Sequence, residues 1–188
     1  MRTSLKITTV LQGEVAISSD PEIVFGTVLG SCISVCMFDS AVGVGGMNHF
    51  LLPGGEKSGT DGDTAFRFGI NAMERLLNGI LKAGGKRHNL KCKAFGGAAV
   101  LASMSDVGAE NVAFVKRYLK TEGLECVSFS FGGNQARRIR FWPCTGDARQ
   151  SLVTDCLLAV GKQEEAYQKQ EREIERNWKS HTPSVELF

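Results

Sequence analysis

Two residues of this chain carry the functional groups of a nucleophile and its base. Cys32 follows Gly30-Ser31 and opens the apolar run 33–38, while His49 ends the apolar run 42–47 just ahead of Phe50-Leu51-Leu52-Pro53. A cysteine nucleophile needs a base to take its proton, a group to orient that base, and donors to hold an oxyanion. Of the three histidines, His88 lies in the polar Lys86-Arg87-His88-Asn89 and His181 in a polar stretch before Pro183, which leaves His49 as the base. Gly30 and Ser31 form a tight turn able to lift Cys32 out of its strand and to aim backbone N–H groups into one small space. Thr27 can orient the imidazole, as can a nearby backbone carbonyl. If the runs 33–38 and 42–51 pair as a hairpin, thiol and imidazole come within reach. A cysteine in an apolar run also serves as plain core, and a histidine beside a strand as a structural residue, and spacing by itself does not separate the two readings.

Other chemistries find less support. The six cysteines are few for 188 residues, and Cys36, Cys92, Cys126 and Cys156 all lie in apolar runs, where a reduced thiol acts as a small hydrophobe. Cys144, between Pro143 and Thr145, belongs to neither class. Structural zinc needs two close ligand pairs, and only Cys32 and Cys36 approach one, so no metal site is expected. Gly43-Val-Gly-Gly46 and Gly96-Gly97 match no dinucleotide or Walker pattern and read as turns and close strand packing. Carboxylate pairs for glycosidic or metal work are absent apart from Asp61 and Asp63, which lie in a polar, glycine-rich stretch read as a mobile loop.

The elements that must position Cys32 and His49 follow from periodicity. Strands are predicted over 23–28, 33–38 and 42–51, the last two joined through Asp39-Ser40, and further strands over 90–94, 124–131 and 137–142. After the loop at 54–63, Ala65, Phe68, Ala72, Met73, Leu76, Ile80 and Leu81 repeat at helical spacing until Gly84-Gly85 stops them, and a second helix is predicted over 111–122. Strands that outnumber helices without strict alternation predict an α+β fold. A catalytic domain over 1–160 is expected, followed over 161–188 by a charged helix and tail. Between Lys162 and Lys179 that segment carries five acidic and five basic residues, the pattern of a solvated face or of a partner-binding helix. The terminal Ser184-Val185-Glu186-Leu187-Phe188 is apolar enough to dock on the body. Net charge of +2 supplies no field for nucleic acid or anionic lipid, and no apolar run approaches the length of a bilayer crossing. The location expected is the cytoplasm, with no membrane insertion.

The ordered motifs are also those of a known family. Thr27-Val-Leu-Gly-Ser-Cys32-Ile-Ser-Val-Cys-Met-Phe-Asp39, then Gly43-Val-Gly-Gly-Met-Asn-His49-Phe-Leu-Leu-Pro53, then Lys93-Ala-Phe-Gly-Gly-Ala98 resemble the CheD family of bacterial chemoreceptor glutamine deamidases. The likeness runs in order from about Ile23 to about Gly146 and includes Ala72-Met73, Gly108 and Asn111. It implies an α/β sandwich of mixed β-sheets flanked by helices, similar to toxin-type cysteine deamidase domains. It also implies a cysteine hydrolase that converts selected glutamines of methyl-accepting chemotaxis receptors to glutamate and releases ammonia, with no cofactor. Cys32 matches the family's nucleophile, His49 its histidine and Thr27 its threonine, although some members place the threonine where this chain has Gly26. Ala136 stands where glycine is expected after Gly132-Gly133. Phe95, Gly96 and Gly97 match a loop implicated in binding receptors and the phosphatase CheC, and Phe95 reads equally as a core aromatic. Arg137, Arg138 and Arg140 read either as a contact for acidic receptor surface or as a solvated edge strand. A non-catalytic adaptor and a receptor methylesterase are the competing activities.

Overall fold

A computed structural model describes residues 5–52, 62–100 and 105–153, together with Ala166, Lys169 and Glu173. The strands are β1 (Lys6–Thr9), β2 (Val15–Ser18), β3 (Ile23–Leu29), β4 (Ile33–Asp39), β5 (Val44–Asn48), β6 (Lys91–Gly96), β7 (Glu125–Phe131), β8 (Ala136–Phe141) and β9 (Ala148–Val153). Two helices, α1 (Gly62–Lys82) and α2 (Ser105–Thr121), flank β6 in the chain. The strands form a five-stranded sheet in the order β2-β5-β4-β6-β7 and a four-stranded sheet in the order β1-β3-β8-β9. Both sheets are mixed, with β1 parallel to β3 and β6 parallel to β7. The α+β expectation holds.

Strand β4 explains how the layers stack. All seven of its residues are buried, so it reads as a continuous apolar run rather than an alternating one. Ile33, Val35 and Met37 pack with Met73, Leu76, Ile80, Phe114 and Val115 of the helices. Cys32, Cys36 and Phe38 face the other way and pack with Phe25, Leu29, Ile139 and Phe141 of the four-stranded sheet. The five-stranded sheet is therefore the middle layer, with helices on one face and the smaller sheet on the other. Asp39 ends β4 fully buried, and the N–H groups of Ala41, Val42 and Lys86 and the Asn89 amide all donate to its carboxylate. Burial pushes its carboxyl up, but these donors outweigh burial and hold it below the usual range. The predicted hairpin between β4 and β5 is thus closed by Asp39 itself, and Gly45 and Gly46 are required by close packing. A Cβ on Gly45 would lie 2.4 Å from the Pro143 carbonyl, and one on Gly46 would lie 2.8 Å from the Ala16 carbonyl.

Departures from expectation have simple causes. Strands β1, β2 and β9 were not anticipated as separate elements, and each is a sheet edge without a fully buried face, so its sequence lacks the alternation of a half-buried strand. Helix α2 begins at Ser105, six residues before the predicted start, because Gly108 lets it press against the loop after β6; a Cβ there would lie 2.8 Å from the Gly97 carbonyl. The loop predicted at 54–63 falls outside the described residues up to 61, and Gly62 and Asp63 already belong to α1. Strand β8 is interior to its sheet and not an edge, so only Arg138 and Arg140 are solvated. Arg137 is 3% exposed and donates to the carbonyls of Ser130 and Gly132 and to Ser130 Oγ; its burial lowers the guanidinium's pKa. Ala136 is buried at the start of β8, and the turn before it is made by Gly132 and Gly133 at φ +71° and +79°. The domain boundary at 160, Cys156, the charged helix and the apolar tail lie outside the described residues, where Ala166, Lys169 and Glu173 alone are described, as helix. No helix among the described residues is long and apolar enough to cross a membrane.

Candidate active site

The chain crosses from the small sheet to the large one twice, through residues 10–14 and through residues 30–32. Because β1 and β3 are parallel, both crossings occur at the same end of the sandwich. Strand β5 is antiparallel to β4, so His49, just past the end of β5, returns to the place where β4 begins. Sheet order alone therefore gathers Cys32, His49 and the 10–14 crossing at one end.

The crossing at 30–32 is held from behind. Ala98 N–H donates to the Gly30 carbonyl at 2.8 Å, Asn111 Nδ2 to the Ser31 carbonyl at 3.1 Å, and Gly97 N–H to the Cys32 carbonyl at 2.8 Å. Peptides are planar and trans, so fixing the Gly30 and Ser31 carbonyls on that side turns the N–H groups of Ser31 and Cys32 the opposite way. That is the orientation an oxyanion hole requires. Gly96 and Gly97 sit at φ +121° and +68°, and a Cβ on Gly96 would lie 2.1 Å from the Cys32 carbonyl. Only glycine allows this approach. Phe95 is 6% exposed and packs between the sheets with Leu29 and Cys36, so its ring supports the site from below and presents no surface to a partner. Asn111 is fully buried, and its Oδ1 also accepts from Leu52 N–H at 2.9 Å, which ties the cysteine bend to the segment after His49.

Thr27 and His49 meet across the two sheets. Phe25, Thr27 and Leu29 are the inward residues of β3, and Thr27 Oγ1 lies 2.9 Å from His49 Nδ1 and 2.9 Å from the Val10 carbonyl. The hydrogen-bond logic assigns the tautomer. A carbonyl can only accept, so the Thr27 hydroxyl proton is directed to Val10, and Thr27 Oγ1 must then accept from His49. His49 Nδ1 also lies 3.3 Å from the Val10 carbonyl, which again requires a donor. Nδ1 therefore carries the hydrogen, and in the neutral ring Nε2 holds the basic lone pair. Thr27 therefore fixes the orientation of the His49 ring, the geometry that the third member of a triad would supply.

The thiol shares this space. Ile33 and Phe50 form an antiparallel bridge, with N–H···O distances of 2.9 and 3.0 Å in the two directions. Cys32 consequently stands opposite Leu51, with which it packs between the sheets, and His49 lies two residues along on the same face. Diagonal neighbours of this kind are about 7–8 Å apart at Cα, within reach of longer side chains. Cys32 is 0% exposed and His49 7%. The Cys32 thiol donates to Gln12 Oε1 at 3.3 Å, so a residue of the other crossing covers it. A cleft of about 210 Å³ runs beside His49, lined in part by Gly13, Glu14, Phe68 and Arg75.

The other thiols among the described residues are chemically quiet. Burial pushes Cys36 far up and Cys92 to about 12, as expected of core cysteines. Cys126 and Cys144 are half-buried and are raised by desolvation, Cys144 further by Asp20. Three participants escaped sequence reasoning in these roles: Gln12, the Val10 carbonyl and the bridging amide of Asn111. Asn111 left one signal, an amide on the apolar face of a predicted helix. Gln12 left none, because a glutamine in a turn between edge strands looks like ordinary surface.

Known proteins match along most of the chain. The sequence model of the family described as CheD chemotactic sensory transduction matches residues 51–151, a span that begins just after His49. A probable chemoreceptor glutamine deamidase CheD 1 of Ruegeria sp. (strain TM1040) is 53% identical over 147 residues, covering 78% of this chain and 77% of the relative. Proteins named probable chemoreceptor glutamine deamidase CheD from Caulobacter sp. (strain K31) and Rhizobium meliloti (strain 1021) are 52% and 49% identical, each over 77% of this chain and over 76% and 79% of their own lengths. Among solved structures, a Neisseria meningitidis protein overlays with a TM-score of 0.40 and 12% identity over 69% of this chain and 63% of its own, too loosely to carry an argument.

Proposed function

The chain belongs to the CheD family, and on that premise we propose that it is a cysteine-dependent deamidase converting receptor glutamine side chains to glutamate. The observation that carries this reading is the 2.9 Å contact between Thr27 Oγ1 and His49 Nδ1, which leaves Nε2 as the basic nitrogen of a ring on the same face as Cys32. In the reaction, Nε2 takes the Cys32 proton as sulfur attacks the substrate Cδ, and the carbonyl oxygen gains charge toward the N–H groups of Ser31 and Cys32. The imidazolium then protonates the departing nitrogen, which leaves as ammonia, and a thioester remains. Water, deprotonated by Nε2, attacks the thioester; the tetrahedral adduct collapses to a glutamate side chain on the receptor, and the imidazolium returns its proton to the Cys32 sulfur. The residues themselves supply every proton transfer, with no cofactor.

The substrates proposed are methyl-accepting chemotaxis receptors, reached in the cytoplasm, and the phosphatase CheC is proposed as a competing partner. Phe95 is buried, so a partner contact there would run through the backbone around Gly96 and Gly97, while Val127 and Phe129 on edge strand β7 offer exposed apolar surface at 41% and 63%. The complete burial of Cys32 favours a second reading, an adaptor that binds receptors without chemistry. Incubation with a purified receptor cytoplasmic domain and weighing of its peptides separates the two. Deamidation adds about 1 Da per converted glutamine, and Cys32→Ala abolishes the change. Conversion that survives Cys32→Ala would exclude the thioester route, and binding without any mass change under wild-type protein would establish the adaptor.

A further inference from the structure

Gln12 carries the same functional group that the proposed reaction consumes. We infer that its side-chain carboxamide is an internal pseudosubstrate, seated against Cys32 in the resting protein and displaced when a receptor glutamine enters; this regulation rests on the deamidase reading. Gln12 Oε1 accepts from the Cys32 thiol at 3.3 Å, and Cys32 has no exposed surface. The pose is unreactive. The sulfur keeps its proton and meets a lone pair of Oε1, whereas attack requires the carbonyl to turn its oxygen onto the N–H donors and its carbon toward sulfur. Gln12 Nε2 is buried and finds no acceptor among the described residues, so the leaving nitrogen faces no group that would protonate it.

The moving part is the side chain and not the loop. Gly13 N–H donates to the His49 carbonyl at 2.7 Å and His49 N–H to the Glu14 carbonyl at 3.1 Å, so the 10–14 backbone cannot swing without carrying the base along. Leu11 N–H is further fixed on Glu14 Oε2 at 2.8 Å, and Arg75 Nη1 on the Gly13 carbonyl at 3.4 Å. Rotation of Gln12 about its own side-chain bonds opens the thiol while Thr27 and His49 stay in register. The closed state is held by no more than about one net hydrogen bond, that of Oε1, since the buried Nε2 has no acceptor among the described residues. An incoming carboxamide therefore competes on nearly equal terms, and the plug acts on substrate affinity.

The test uses the full chain with Gln12→Ala, which removes the carboxamide, and Gln12→Asn, which keeps it one methylene short of the sulfur. Two readouts are taken: the rate of Cys32 alkylation by iodoacetamide, and steady-state deamidation of a purified receptor cytoplasmic domain. Both variants should alkylate about 3- to 10-fold faster, the equivalent of one net hydrogen bond, with KM lowered by a similar factor and kcat not reduced. The Gln12 peptide of the wild type should keep its mass. Alkylation within twofold of wild type in both variants overturns the proposal, as does a large loss of kcat, which would make Gln12 a positioning residue. A gain of about 1 Da at Gln12 overturns it as well, by making Gln12 a substrate. Should wild-type protein leave the receptor unchanged while the variants still alkylate faster, the plug stands and the deamidase reading falls. Should the receptor be converted while alkylation is unmoved, the plug falls alone.

Discussion

Thr27→Val tests the site with the least disturbance. Valine keeps the branched shape that β3 packs inward and removes only the hydroxyl, which lies 5% exposed behind the imidazole and away from any substrate. Two bonds of 2.9 Å disappear, one to His49 Nδ1 and one to the Val10 carbonyl. In the resting state the His49 contact joins two neutral groups, and its net contribution is about 0.5–1.5 kcal/mol. In the transition state the ring is an imidazolium, and a hydrogen bond to a charged group contributes about 1.5–3 kcal/mol. Because kcat registers only the difference between the two, about 1–1.5 kcal/mol, it falls by about 5- to 13-fold. KM should stay within about twofold, since the hydroxyl touches no substrate. The Val10 carbonyl, 3.3 Å from Nδ1, remains as a weaker acceptor and keeps the loss below that of removing the base. The assay is the initial rate of the mass gain in receptor peptides, run beside Thr27→Ser, which restores the hydroxyl and should recover most of kcat. Thr27→Val at more than half the wild-type kcat, or Thr27→Ser as poor as Thr27→Val, would refute the assigned tautomer and with it the role of Thr27.

Other consequences can be measured on the same protein. Gly96→Ala should cost about 2–4 kcal/mol in urea unfolding and depress activity further, because its Cβ would stand 2.1 Å from the Cys32 carbonyl at a φ of +121°; wild-type stability in that variant would mean the loop yields freely. Asp39→Asn should lower stability at pH 7 by about 1–3 kcal/mol. The sign follows from the lowered carboxyl: Asp39 stabilises the fold above its unfolded value of 3.8 and loses that contribution as pH falls through its lower folded value. Urea midpoints of wild type and Asp39→Asn should therefore converge below about pH 4, and a gap that persists there would contradict the hydrogen-bonded carboxylate. Iodoacetamide at pH 7 should label Cys32 well before Cys36 or Cys92, whose thiols burial keeps protonated; peptide mapping that found Cys36 or Cys92 first would displace Cys32 as the reactive thiol.

Much of this arrangement was legible from local pattern. Strand β4 reads directly from its uninterrupted apolar run, and α1 from apolar residues at helical spacing, because each of these elements buries a whole face and its period is written into adjacent residues. Cys32 after Gly30-Ser31 and His49 beyond Met47 stand out for the same reason, as reactive groups at the ends of such runs. The edge strands β1, β2 and β9 have no fully buried face, and nothing in their composition separates them from loops.

Local pattern alone determined that this chain carries a thiol and an imidazole at the ends of two apolar runs, within an α+β fold. Tertiary structure decided which way the imidazole's hydrogen points, because Thr27 reaches His49 only where one sheet lies on the other. It also decided that Phe95 is core, that Arg137 is buried, and that the amide of Gln12 rests on the Cys32 thiol. Periodicity reports how each element divides its faces between core and solvent. Contacts between layers depend on how two sheets stack and where the chain crosses between them, and that is a property of the whole fold rather than of any one segment.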